Sequence, residues 1–133
     1  MYPILGASVL GILFVGYLYR APLGWVVWKD FHTASFATIL NTIDATLPFA
    51  IGNYYFGGGA YDIQKAKRYF RATLTLDAKL QGVHYQLARI YFIQSDFSGA
   101  LTEIDTELTL YPDFKRSYYI RGLVYGYSGK LPE

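Results

Sequence analysis

The second half of the chain repeats itself at an interval of 34 residues, and that period leaves few folds open. Ile63, Phe97 and Leu131 are spaced 34 residues apart. The same interval joins Ala66 to Ala100, Phe70 to Ile104, Leu74 to Leu108 and Leu76 to Leu110, then His84 to Tyr118, Ala88 to Gly122 and Tyr91 to Tyr125. Matches at one offset, nearly all conservative in size, mark a supersecondary unit whose copies stack to bury a continuous core.

Each unit reads as two helices. In the clearest one, helix A is predicted over 82–94, Ser95-Asp96 forms the turn, and helix B runs over 97–110 until Pro112 stops it. Apolar residues of helix B fall at Phe97, Ala100, Leu101, Ile104 and Leu108, which is one face at helical period. Alanine at position 100 follows from packing, because two helices cross closely only where a side chain is small.

This pattern resembles the tetratricopeptide repeat (TPR) family, whose helix–turn–helix unit of about 34 residues carries aromatic, small and Pro residues at set spacings. Within 81–114 the matching residues are His84, Leu87, Ala88, Tyr91, Phe97, Ala100, Ile104, Leu108 and Pro112. Within 115–133 they are Tyr118, Gly122, Tyr125, Gly129 and Leu131, and within about 44–80 they are Gly52, Tyr55, Ala66, Phe70 and Leu74. The first unit's turn, Gly57-Gly58-Gly59-Ala60-Tyr61, is longer than the family's. Thr73 and Glu107 stand where a second small residue is expected in helix B, and Arg121 stands where the family prefers leucine. The resemblance implies an all-α helical solenoid of about two and a half units, 44–80, 81–114 and an incomplete 115–133. Helix B of the last unit would begin at Leu131, leaving Tyr118, Leu123, Tyr125 and Tyr127 without cover; the chain is accordingly expected to be incomplete at its C-terminus.

Charge divides the chain. Residues 1–60 hold only Arg20, Lys29, Asp30 and Asp44 of its 12 basic and 10 acidic residues. Residues 3–19 carry no charge, Tyr17 and Tyr19 close the run, and Trp25 and Trp28 follow with Arg20 and Lys29 among them. Rings and snorkelling cations belong at a lipid–water boundary. The expectation is a single-pass transmembrane helix over 3–19, with 21–29 at the interface and Pro22 and Gly24 ending the helix. A connecting helical segment over 30–43 follows. No basic segment or A-x-A site of a cleaved signal peptide precedes the charged stretch. The positive-inside rule then leaves the repeats in the cytoplasm.

Several chemistries lack their residues. A formal net charge of +2 gives no reason to expect nucleic acid. Cysteine is absent, and His32 and His84 are too far apart for a local ligand pair, so neither metal nor cofactor is expected. Gly57-Gly58-Gly59 lacks the Gly-Lys-Ser/Thr continuation of a phosphate loop. His84 reads as a packing residue, and Glu103 and Glu107 as a solvated helix face. Without a catalytic constellation, the chain is not expected to be an enzyme.

What remains is a surface. In the family, helix A residues line the concave side, and the resemblance carries that role to Phe49 and Asn53, to Tyr85, Arg89 and Phe92, and to Arg116, Tyr119, Leu123 and Tyr127. Rings supply contact area at low entropic cost and arginine anchors carboxylates, which suits a protein or peptide partner. The bland alternative is that these rings only pack against neighbouring helices. The leading expectation is a membrane-anchored scaffold for protein–protein interaction. The others are an accessory region of a larger membrane enzyme such as a glycosyltransferase, and a structural subunit of an envelope assembly.

Overall fold

The computed structural model describes the backbone of residues 4–58 and 60–129, and the side chains of 14–30, 32–58 and 60–129. Among the described residues every regular element is helical. They are α1 (Ile4–Phe31), α2 (Ala34–Leu40), α3 (Thr46–Asn53), α4 (Ile63–Leu76), α5 (Val83–Ile93), α6 (Phe97–Leu110) and α7 (Lys115–Ser128). A π-helical turn, Tyr54–Gly58, continues α3. α3 packs on α4 and α5 on α6, and α7 lies against both α5 and α6.

The period seen in the sequence reappears as repeated local chemistry. Asp62 and Asp96, 34 residues apart, cap α4 and α6. Their carboxylates accept the backbone N–H of Lys65 at 3.0 Å and of Gly99 at 2.9 Å. Each such cap is worth about 1 kcal/mol. Ala66 and Ala100 are both fully buried, as the close crossing of helices requires. Thr73 is buried too, and its hydroxyl donates to the Tyr69 carbonyl at 2.9 Å, so it fills a small-residue position without an unsatisfied group. The core runs along the stack. Leu47, Ile51 and Tyr69 pack beneath Trp28; Phe70, Leu87 and Ile90 follow; Ile104, Ile120 and Val124 complete it.

The long turn after α3 takes a form the sequence did not suggest. Gly57 and Gly58 end the π-helical turn, and the Asp62 N–H reaches back to the Tyr55 carbonyl at 2.7 Å. Gly59 lies outside the described residues.

The expected membrane anchor is overturned. Among the described residues no helix is long and apolar enough to cross a membrane. Residue 3 and the side chains of 4–13, part of the expected span, lie outside the described residues. The later part of α1 packs on the protein's own helices. It continues as helix through Pro22 and Gly24, where a break was expected. Gly24 is buried because a Cβ there would meet the Ala37 carbonyl oxygen at 2.8 Å and the Asn41 Cβ at 2.6 Å, so α1 and α2 approach backbone to backbone. Trp28 is a core residue against Ala34, Ala37 and Leu47, and the Trp25 indole N–H donates to Asp44 at 2.7 Å. The two tryptophans are thus occupied by the protein's own core and by a carboxylate. The localisation, the orientation and the membrane partner fall with the anchor.

Candidate functional site

α3, α5 and α7, the first helices of successive units, carry the residues expected to bind a partner. On α5, Tyr85, Arg89 and Phe92 share one face by helical spacing. On α3, Asn53 meets that face: its side-chain oxygen accepts from the Gln86 amide at 2.5 Å, and the Gln86 oxygen accepts from Arg89 at 2.7 Å. The Arg89 guanidinium lies over the Phe56 ring at 4.6 Å and near the Tyr85 ring at 5.7 Å. Asn53, Arg89 and Tyr85 are therefore brought together, through Gln86 and Phe56, which the sequence reading did not single out. Phe56 enters because the π-helical turn widens the end of α3. π-helical turns are rare and concentrate at functional sites.

The other candidates divide. Phe92 meets Tyr127 of α7 with ring centroids 5.4 Å apart, which joins the two helices on this face. Phe49 packs at a tilt against the buried Phe70, Tyr85 also touches Phe114, and Leu123 packs against the last core cluster. These side chains serve packing as well as surface. Arg116 is exposed, Tyr119 is 68% exposed, and Tyr127 remains 72% exposed despite its contact with Phe92. The structure does not gather Arg116 and Tyr119 with the Arg89 cluster. Tyr118, expected without cover, is exposed, whereas Leu123 and Tyr125 are partly buried. Leu131 lies outside the described residues.

The largest departure from the sequence reading concerns α6. Glu107 is fully buried, not solvated. Its carboxylate accepts the backbone N–H of Gly82 at 2.7 Å and of Tyr85 at 3.2 Å. These are orphan donors at the start of α5. Gly82 has φ +89° and no side chain to cap with. One turn earlier on α6, Glu103 pairs with the His84 ring nitrogen at 2.6 Å, so His84 is an ion-pairing residue. Two acids on one helix therefore hold the first turn of the helix bearing Tyr85 and Arg89. Arg121, the other departure, reaches Asp105 of α6 at 3.9 Å and covers the Tyr118 ring.

The hydrogen bond to Glu103, offset by burial and reinforced by the negative charges of Glu103 and Glu107, raises the His84 pKa above its ordinary value. A raised folded-state pKa means stabilisation that is complete below the unfolded value of about 6.5 and is lost as pH rises through the folded value. Urea midpoints should therefore fall between pH 6 and pH 9 in the native chain, and fall less in His84→Gln. Equal falls in both would remove His84 as the cause.

No protein-family model and no curated protein matches the sequence. Solved structures do. One crystal structure of MamA superposes with a TM-score of 0.69 at 18% identity, covering 93% of this chain and 70% of that one. A second MamA structure gives a TM-score of 0.66 at 20% identity, covering 93% of this chain and 75% of that one. At such identities the likeness concerns the fold alone, and together with the repeated helix pairs it makes this an all-α solenoid of the TPR type.

Proposed function

We propose that the chain is an interaction scaffold that seats an extended segment of a protein partner on the face formed by α3, α5 and α7. Arg89 carries this reading. Its guanidinium is oriented by Gln86 and by two rings, yet among the described residues no carboxylate pairs with it. An arginine fixed in this way loses little freedom on binding and keeps donors for a bidentate carboxylate. Exposed Tyr119 and Tyr127 extend the face with rings that gain contact area when covered. Stacked helix pairs present such extended surfaces as a consequence of their geometry.

The test is a capture experiment. Changing Tyr85, Arg89 and Tyr119 together to Ala should reduce recovery of partners from the source cells at least about tenfold, the scale expected when central aromatic and arginine contacts are removed. Circular dichroism should show helicity nearly unchanged. Recovery of the same partners at the same level by a folded triple variant would place binding elsewhere.

A further inference from the structure

We infer that the exposed face of α4 is a second docking surface, one that takes an acidic segment of a protein partner. α4 carries Lys65, Lys67, Arg68 and Arg71 and no acidic residue along its length. Its spacing sets like charges beside one another: Lys65 with Arg68, Lys67 with Arg71, and Arg68 with Arg71. Such pairs oppose helix formation. The first of these cations also sits in the opening turn, where the positive end of the helix dipole disfavours it. A chain selected for stability alone would place acids here.

Neutralisation within the protein is slight. Asp62 pairs with Lys65 at 3.2 Å, but among the described residues no carboxylate lies within ion-pair distance of Lys67, Arg68 or Arg71. Two of the cations are held in place from α5. Tyr91 accepts a hydrogen bond from Arg71 at 2.9 Å, and Lys67 lies 4.0 Å above its ring. Neither contact neutralises charge, and both order a long side chain before any partner arrives, which lowers the entropic cost of binding.

The surface also has relief. Arg68 stands between two shallow depressions. One is the open space among Gln64, Lys67, Arg68 and Arg71 on the surface of α4 itself. The other, of about 430 Å³, lies between α4 and the start of α2, with Lys65 and Arg68 at one side and the stacked rings of Tyr55 and Tyr69 in its wall. Cations distributed along a helix beside such a hollow match an extended run of carboxylates better than one compact anion. A formal net charge of +2 and acids on α6 argue against a nucleic-acid track, which needs a broad basic surface. This surface is separate from the Arg89 cluster and does not depend on it.

Fluorescence anisotropy of a labelled poly-glutamate peptide with the whole chain tests the inference. Binding should be measurable at low ionic strength and should weaken as salt screens the charges. Arg68→Gln with Arg71→Gln should weaken it at least about tenfold, given what charge-assisted hydrogen bonds contribute. Because Arg71→Gln also removes a contact to Tyr91, Arg68→Glu alone serves as a second variant and should weaken binding in the same direction. Lys115→Gln, at an exposed position on α7, should leave the affinity unchanged. No binding by the native chain at low salt would overturn the inference. So would equal binding by the α4 variants, or tighter binding of an oligouridylate to this same face.

Discussion

Replacing Glu107 with Ala should destabilise the fold by about 3 kcal/mol, the cost of leaving one buried and one partly buried backbone donor without an acceptor. The donors are the N–H groups of Gly82 and Tyr85. The helix start cannot supply its own side-chain cap, because the residue there is glycine. Glu107→Gln keeps one acceptor but turns its NH2 toward the other N–H, and should cost about 2 kcal/mol. Glu103→Ala removes only a partly exposed ion pair and should cost less than Glu107→Ala. Urea unfolding of the three variants gives the order directly. A Glu107→Ala chain as stable as Glu103→Ala would mean that the start of α5 is capped in some other way. Loosening that turn also moves the backbone beneath Tyr85 and Arg89, so the Glu107→Ala chain should capture partners less well even where it remains folded.

Ala100→Leu should cost about 1–3 kcal/mol by overpacking. Ala100 is fully buried among Ala88, Ile104 and Val124, where α5, α6 and α7 meet. The larger side chain must displace one of these helices. Ala66→Leu probes the matching position one unit earlier and should behave alike, since Ala66 is fully buried between Phe70 and Leu87. Ala72→Leu on the exposed side of α4 should stay within about 0.5 kcal/mol of the native chain. Thermal or urea melts settle it. An unchanged melting temperature for Ala100→Leu would show that the helix crossing is not the close one described.

The parts of the fold legible in the sequence were those written locally. α5 and α6 were expected over 82–94 and 97–110 and are found at Val83–Ile93 and Phe97–Leu110. Apolar period, the Ser95-Asp96 turn and a following proline all act within a few residues of the boundary they set. What escaped depends on distant partners. The carboxylate that caps α5 comes from a residue 25 positions later, and in the sequence it looks like one more acid on an amphipathic helix. Phe56 joins the Arg89 cluster only because the helix widens into a π turn, for which no residue pattern gives notice. α1 misled most. Tyr17, Tyr19, Trp25 and Trp28 have the composition of a membrane boundary, but Trp25 and Trp28 are held by Asp44 and the core around Leu47. Hydrophobic rings near an uncharged run describe both environments equally well, and only the position of α2 and α3 separates them.

The central claim is that the row of α3, α5 and α7 receives a partner. Amide chemical-shift mapping on the labelled chain, titrated with a peptide from a captured partner, tests it most directly. Shifts should cluster at Asn53, Gln86, Arg89 and Phe92 and extend to Tyr119 and Tyr127. Saturating binding that leaves the α5 and α7 amides unperturbed would contradict the account.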